Sequence, residues 1–270
     1  MSDAQKTRQT AAELLTGWKG GAYFFGTEAI EHVGPLAKDI AADAVVLANE
    51  SDWLAPTLGA VKESLEAFGV KVLRHAAGAR PNSPREDVFA MQRAIREAEA
   101  EAVVAVGGGS TIDATKAAVV LATLEGDGRD IDPYFGVGQV SAELERRDAK
   151  LPPIVAVQTA SGSGAHLTRY SNITDLATNQ KKLIIDDACV PARAVFDYAV
   201  TASASRDLTL DGAFDGLSHL TEAYCSARPE TIDRLEQIAV TGAELIVASV
   251  LRAADVPGAI AVRTDLGLSM

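Results

Sequence analysis

The chain has 270 residues, of which 47% are hydrophobic and 23% are charged, so it can bury a sizeable core in one large or two modest domains. Its formal net charge of −12 argues against nucleic acid and anionic membrane surfaces as partners, because both are negatively charged. The two cysteines lack the spacing of a disulfide framework or a metal site, which favours a reducing compartment. With no signal-peptide core and no apolar run near the ~20 residues that cross a bilayer, we expect a cytoplasmic protein.

The first half of the chain alternates short apolar segments with longer amphipathic ones. Strands are predicted at 23–26, 44–48, 71–75 and 102–106. Helices are predicted at 27–40, 54–68, 84–100 and 110–124, with Pro84 in the first turn of its helix. This alternation is typical of a parallel sheet with helices on both faces.

The second half changes character near residue 200. A polar segment, 126–146, is predicted as a surface excursion. After it we predict a buried strand at 152–157, a hairpin of 170–174 with 183–186, and a short strand at 194–198. Beyond residue 203 the strand pattern ends, and helices are predicted at 207–226, 231–254 and 259–270. The predicted fold class is therefore an α/β domain with a Rossmann-like parallel sheet, residues 1–200, followed by an all-α domain, residues 201–270.

The first candidate site follows the strand at 102–106. Three residues without side chains come next: Gly107, Gly108 and Gly109. Ser110 is then expected to cap a helix, with Asp113 as its reciprocal capping partner. Bare glycines allow close approach of a ligand, and the N–H groups and dipole of a helix N-terminus favour a diphosphate. The alternative that the residues leave open is a glycine-rich turn without a ligand.

Two further positions support a dinucleotide. Glu50 follows the second predicted strand, and ligands bind beyond the carboxyl ends of such strands. A carboxylate there can accept hydrogen bonds from the adenosine ribose and would repel a 2′-phosphate, which favours NAD over NADP. An equally weighted alternative is a solvated loop carboxylate. A second small-residue loop, 158–164, carries hydroxyls on Thr159 and Ser163 that could donate to phosphate or ribose.

The second candidate site lies in the predicted helix at 207–226. Asp215 and His219 are spaced i, i+4 and therefore lie on one helical face. A carboxylate and an imidazole on one face make half of a divalent-metal site, and both suit Fe²⁺ as well as Zn²⁺. The alternative is an ordinary helix that carries a satisfied histidine.

Taken in order, these motifs resemble those of the iron-containing (group III) alcohol dehydrogenase family. Further matching landmarks are Pro81–Pro84, Lys116, Gly162–Gly164, Thr168, Ile173–Asp175, Lys181, Pro191, Asp197 and Glu222–Tyr224. The resemblance implies NAD(P)-dependent hydride transfer between an alcohol and an aldehyde, assisted by a divalent metal. It makes residues 1–200 the dinucleotide-binding domain and 201–270 the start of a metal- and substrate-binding domain.

The resemblance also assigns residues. It implies that the cofactor is contacted by Gly107–Ser110, Asp113, Thr159, Ser163 and Lys181, and that Asp215 and His219 supply two metal ligands. It further implies a homodimer. No side chain is assigned as the general base.

Three departures from the family pattern stand out. His166 occupies a position where the family usually has Glu, and Gln158–Ala160 replaces Pro-Thr-Thr. The later histidines that complete the family's metal site have no counterpart before Met270. Since catalytic zinc sites use three protein ligands, we expect an incomplete member of the family.

Other functions remain open at this stage. A glycerol or glycerol-1-phosphate dehydrogenase would use the same chemistry. A dehydroquinate synthase ranks lower, because the segment around Asp215 and His219 lacks the basic residues that a phosphorylated substrate needs. A truncated, non-catalytic dinucleotide-binding protein is the alternative from a different class, and a poorly folded helical part without activity is the simplest. The residues do not identify the alcohol.

Overall fold

The computed structural model describes residues 2–269. In this part of the chain the helices are α1 (Asp3–Lys19), α2 (Val33–Lys38), α3 (Ala55–Ala67), α4 (Arg85–Ala98), α5 (Gly109–Leu124), α6 (Gln139–Arg147), α7 (Arg206–Cys225), α8 (Ile232–Asp255) and α9 (Ile260–Leu268). The strands are β1 (Tyr23–Gly26), β2 (Asp43–Ala48), β3 (Lys71–Ala76), β4 (Ala102–Gly107), β5 (Gly136–Val137), β6 (Ile154–Gln158), β7 (Tyr170–Asp175), β8 (Gln180–Ile185) and β9 (Arg193–Asp197).

Six strands form the main sheet, in the order β1-β9-β6-β4-β2-β3. The pairs β2–β3, β2–β4 and β4–β6 are parallel, and Val103 of β4 lies in register with Val45 on one side and Ile154 on the other. Every residue of β4 and β6 is buried, as expected where helices cover both faces of a parallel sheet. The predicted fold class, a parallel Rossmann-like sheet followed by helices, is confirmed.

A second, three-stranded sheet has the order β5-β8-β7. Strands β7 and β8 pair antiparallel, so the predicted hairpin is confirmed. The segment predicted as a surface excursion, 126–146, is mostly exposed or half-buried, and it contains β5 and most of α6, which were not predicted. Helix α6 buries Val140, and the Ser141 amide donates to the Asp186 carboxylate over 2.8 Å. These contacts are made with the later strand β8 and its neighbours, which a local polar pattern does not reveal.

Two other local predictions differ from the structure. The helix predicted at 27–40 is instead a 3₁₀ turn at Ala29–His32 followed by the short α2. Pro84 precedes α4 as its N-cap residue instead of lying in its first turn. Helix α1 was not predicted. A capping box of Ser2 and Gln5 begins it, and Arg8 holds it through an ion pair with Asp265, with Nη2 and Oδ2 2.8 Å apart.

The chain divides into two compact units. The sheet unit consists of Ile30–Gln158 and Ala165–Val195, and the helical unit of Met1–Ala29, Thr159–Gly164 and Phe196–Met270. In the sheet unit, α4 and α5 pack on the sheet around a core rich in Val and Ala. In the helical unit, α7, α8 and α9 enclose a smaller apolar core. The functional boundary at residue 200 stays a prediction.

A buried arginine ties the helices of the helical unit together. Arg263 of α9 donates to the carbonyl oxygens of Ala253 and Pro257 at the end of α8, and to the Thr209 hydroxyl of α7 over 2.8 Å. Burial lowers the pKa of this guanidinium. The carbonyl end of a helix carries partial negative charge, which compensates the buried cation. Arg263 thereby helps to fix α7, the helix that carries Asp215 and His219.

Within the described residues, one helix is long and apolar enough in composition to cross a membrane. This is α8, in which 39% of the apolar window is buried inside the protein. Core helices of water-soluble proteins satisfy the same test, so this is weak evidence for a membrane span.

Candidate functional site

The glycine loop lies where β4 ends and α5 begins. Gly108 is the N-cap residue in an extended conformation, and no side chain caps the helix. The predicted capping role of Ser110 is therefore wrong, because the helix begins one residue earlier, at Gly109. Instead, the Ser110 hydroxyl accepts a hydrogen bond from the Asn82 amide over 3.0 Å. A helix start without a side-chain cap fits an anionic ligand group, so the loop remains suited to a diphosphate.

Gly107 also has a packing role. A Cβ at this position would lie 2.7 Å from Cβ of Thr111, and one at Gly78 would lie 2.8 Å from the Thr111 hydroxyl oxygen. Thr111 thus occupies the space that side chains at both glycines would need. Glycines in this loop therefore serve two ends: Gly107 leaves room for the Thr111 side chain, and the loop leaves the N-terminus of α5 accessible to a ligand.

Asp113 and Lys116 form a buried ion pair on α5. Lys116 is 0% exposed, and its ammonium donates to Oδ1 of Asp113 over 3.3 Å and to the carbonyl oxygens of Thr168 and Tyr170 over 3.0 and 2.6 Å. Burial lowers the pKa of Lys116, and Asp113 opposes that shift. Oδ2 of Asp113 accepts hydrogen bonds from the amide and the side chain of Asn172. The pair therefore fastens β7 to α5.

The carboxylate of Asp113 is not part of a capping box, which corrects that expectation. Its contact with a cofactor stays a prediction.

The segment after β3 connects the glycine loop to the hairpin. The Ser83 hydroxyl donates to the Ser110 carbonyl over 2.8 Å, and the Thr174 hydroxyl donates to the Asn82 carbonyl over 2.6 Å. Asn82 and Ser83 both adopt positive φ angles, 65° and 51°. Exposed Lys181 of β8 donates to Oδ1 of Asn82 over 3.4 Å. The structure thus shows that Lys181 and Ser110 both hydrogen-bond to Asn82, a residue that the sequence analysis did not assign to the cofactor site.

Glu50 lies beyond the carboxyl end of β2, as predicted, and its side chain is 84% exposed. Its Oε1 is 3.5 Å from Nδ1 of His75, near the end of the neighbouring strand β3. Burial lowers the pKa of His75 below its ordinary value of 6.5, Lys62 adds to this, and Glu50 opposes it. His75 is therefore neutral at pH 7, and Glu50 keeps its negative charge uncompensated by a histidinium.

We expect the titration of His75 to report these charges. In the Glu50→Gln variant its pKa should fall further, and in Lys62→Met it should rise, because each change removes one of the opposing influences. Two-dimensional NMR of the imidazole protons against pH measures both shifts. Since the folded-state pKa lies below 6.5, His75 should reduce stability as the pH falls below 6.5. An identical midpoint in all three proteins would contradict the arrangement.

In the helical unit, the second small-residue loop is Thr159–Gly164. Thr159 is buried and Ser163 is exposed. Gly162 and Gly164 have φ angles of 136° and 57°, which side-chain-bearing residues rarely adopt. A Cβ at Gly162 would lie 3.0 Å from Cα of Gly212 in α7 and 3.5 Å from Oδ2 of Asp215. The loop therefore lies directly against the helix that carries the predicted metal ligands.

Asp215 and His219 meet on the exposed face of α7, as predicted. Oδ1 of Asp215 is 3.5 Å from Nε2 of His219, and the two side chains are 50% and 59% exposed. Glu222 approaches the other imidazole nitrogen, Nδ1, at 3.8 Å. Across residues 2–269, no group of three or more His, Cys, Asp or Glu side chains is arranged to hold a metal. The pair thus offers two of the donor types that a metal site uses, and its binding of a metal stays a prediction.

His166, where the family pattern has Glu, is buried in the sheet unit. Sequence reasoning missed three residues around the predicted sites, His75, Asn82 and Gly212. Asn82 stood inside a recognised landmark, while His75 and Gly212 had no local signal, since their partners lie far along the chain.

The chain matches known proteins in sequence. A family model described as iron-containing alcohol dehydrogenase matches residues 21–198. Alcohol dehydrogenase 4 of Saccharomyces cerevisiae is 31% identical over 231 residues, covering 85% of this chain and 57% of that protein. The 1,3-propanediol dehydrogenase of Citrobacter freundii is 31% identical over 213 residues, covering 77% of this chain and 52% of that protein.

A solved structure matches the fold. NADH-dependent butanol dehydrogenase A of Thermotoga maritima superimposes with a TM-score of 0.78 at 25% identity, over 92% of this chain and 59% of that one. The chain thus spans little more than half of the length of the relatives it matches.

Proposed function

Because this chain belongs to the iron-containing alcohol dehydrogenase family, we propose that it takes part in NAD-dependent, divalent-metal-dependent interconversion of an alcohol and an aldehyde. The observation that carries the proposal is the Asp215–His219 pair, whose donor atoms approach to 3.5 Å on an exposed helix face. An oxygen and a nitrogen donor together suit Fe²⁺ and Zn²⁺. NAD is the cofactor and NADP is disfavoured.

The proposed metal ligands of this chain are Asp215 and His219. Both side chains are half exposed, so an ion can reach them without rearrangement of a core. Catalytic sites of this type use three or more protein ligands, so the further donors would come from a second copy of the chain. Glu222 lies near Nδ1 of His219 and would hold the imidazole with Nε2 directed to the ion.

The proposed cofactor contacts are the residues that the resemblance assigns, together with Glu50. In the sheet unit they are Glu50, Gly107, Gly108, Gly109, Ser110, Asp113 and Lys181. In the helical unit they are Thr159 and Ser163. The uncapped N-terminus of α5 supports a diphosphate at the glycine loop, and the exposed carboxylate of Glu50 beyond the end of β2 supports ribose hydroxyls over a 2′-phosphate.

The chemistry follows from these groups. A divalent cation, when bound, supplies a Lewis acid for the alcohol hydroxyl, and nicotinamide supplies the hydride acceptor. The residues of this chain would bind and orient these groups: the α5 amides would hold phosphate oxygens, Glu50 would accept hydrogen bonds from the ribose hydroxyls, and Asp215 and His219 would hold the cation. No described side chain is assigned as a proton acceptor.

Metal content and cofactor binding of the 270-residue chain test the proposal. The purified protein is supplied anaerobically with Fe²⁺ or Zn²⁺, dialysed, and analysed for metal per chain, and NADH and NADPH are titrated by fluorescence. We expect a bound metal near one per chain and tighter binding of NADH than of NADPH. A panel of primary alcohols, diols and glycerol with NAD then identifies the substrate class.

Two outcomes would contradict parts of the proposal. NADH binding without metal uptake would leave a dinucleotide-binding protein and exclude dehydrogenase activity by this chain alone. Absence of NADH binding would exclude both the dehydrogenase activity and the dinucleotide-binding role.

The proposed partners are a small alcohol or aldehyde and a second copy of the chain. The proposed location is the cytoplasm, which agrees with the free thiols of Cys189 and Cys225.

A further inference from the structure

A close approach of two glycines joins the Thr159–Gly164 loop to α7. A Cβ at Gly212 would lie 2.3 Å from the carbonyl oxygen of Ser161, and a Cβ at Gly162 would lie 3.0 Å from Cα of Gly212. Real Cβ atoms do not come as close to a backbone oxygen as one at Gly212 would, and the distance at Gly162 is tighter than nine in ten real Cβ contacts. The loop therefore reaches its position on α7 because Gly212 lacks a side chain, and Gly162 adds to the close fit.

Gly212 is unfavourable for the helix that contains it. It lies in the interior of α7, seven residues after the N-cap Ser205, where glycine is the poorest helix former except proline. The helix thus carries a destabilising residue at the one turn that the loop crosses. This pattern is expected where backbone approach matters more than helix stability.

The contact lies one turn from Asp215. The carboxylate oxygen Oδ2 of Asp215 is 3.5 Å from the position of a Cβ on Gly162, on the same side of α7. Ser163 follows Gly162 directly and is exposed, and Thr159 begins the loop. The separation between the loop and Asp215 is therefore set by the two glycines.

We propose that Gly212 is a positioning residue, which seats the Thr159–Gly164 loop against α7 and so sets the distance of Thr159 and Ser163 from the Asp215 carboxylate. The inference extends the proposed function, because Thr159 and Ser163 are its cofactor contacts and Asp215 its metal ligand. Through this contact, metal binding at Asp215 and His219 and cofactor binding at the loop should each change the affinity for the other ligand. Gly212 touches neither ligand and acts through the backbone of the loop.

The test compares Gly212→Ala with a matched control, Gly59→Ala. Gly59 is also a helix-interior glycine, in α3, but a Cβ there meets nothing within 4 Å. Amide hydrogen exchange of the loop is measured in both variants and in the wild type. Exchange at 159–164 should be about tenfold faster in Gly212→Ala than in the wild type, with β4 unchanged, because the loop is displaced locally. The control should match the wild type at the loop.

A second readout separates positioning from simple stability. The NADH dissociation constant is measured with and without saturating Co²⁺, and the ratio gives the coupling between the two ligands. This ratio should approach one in Gly212→Ala and stay at its wild-type value in Gly59→Ala. A loop variant, Gly162→Ala, changes the loop side of the contact and also strains its backbone at a φ of 136°, so it should show at least the same increase in loop exchange.

Each result decides the inference. Unchanged loop exchange in Gly212→Ala would overturn it, and so would global unfolding of both Gly212→Ala and Gly162→Ala, since the contact would then support the whole unit. If the wild type binds neither NADH nor Co²⁺, the proposed function fails while the exchange comparison still tests the positioning role.

Discussion

Replacement of Lys116 by methionine is expected to lower the free energy of unfolding by about 3–5 kcal/mol, the usual result of removing one partner of a buried ion pair. The Asp113 carboxylate of α5 would stay buried between α5 and β7 without its cation, with the two hydrogen bonds from Asn172. The carbonyl oxygens of Thr168 and Tyr170 would also lose their donor. Urea unfolding followed by circular dichroism measures the change.

Two comparisons give this prediction its specificity. Lys150→Met removes an exposed lysine and should change stability by less than about 0.5 kcal/mol. The double variant Asp113→Leu, Lys116→Met should recover part of the loss, because no charge then remains buried without a partner. A Lys116→Met protein as stable as the wild type would show that the pair does not hold β7 on α5.

Replacement of His219 by alanine is expected to weaken divalent-metal binding by more than about 100-fold, because loss of even an outer-shell partner costs about 10- to 100-fold. The variant removes one of the two proposed ligands and leaves the exposed Asp215 carboxylate alone on α7. Stability should change little, since the His219 side chain is 59% exposed. Calorimetric titration with Co²⁺ or Zn²⁺ measures the affinity, and a thermal scan the stability.

The neighbouring residues supply graded controls. Thr221→Ala, in the same helix, should bind metal as the wild type does, because the Thr221 hydroxyl donates to the Leu217 carbonyl of the helix backbone. Glu222→Gln should lose affinity to a smaller extent, because Glu222 approaches only Nδ1 of the imidazole, at 3.8 Å. Equal metal affinity in His219→Ala and the wild type would remove His219 from the proposed site.

The local patterns of the sequence determined the fold class and the positions of most elements. Apolar runs rich in β-branched residues, such as those of β4 and β6, favour strands that are buried on both faces, and their alternation with helices favours a parallel sheet. The i, i+4 spacing places Asp215 and His219 on one face of any helix, so their meeting followed from the spacing alone. The glycine loop at the end of a strand likewise predicted where a helix begins, although the predicted cap by Ser110 was wrong.

Only the tertiary structure decided how these motifs are held. The Ser110 hydroxyl accepts a hydrogen bond from the backbone amide of Asn82 instead of capping α5. The Asp113 carboxylate pairs with Lys116 of the same helix and accepts hydrogen bonds from Asn172 of β7. The segment after α5 became β5 and α6 because it pairs with β8, far along the chain. The role of Gly212 arises from a carbonyl of a loop some fifty residues earlier. Sequence patterns record the local periodicity of a segment, whereas contacts between distant segments depend on the packing of the whole unit.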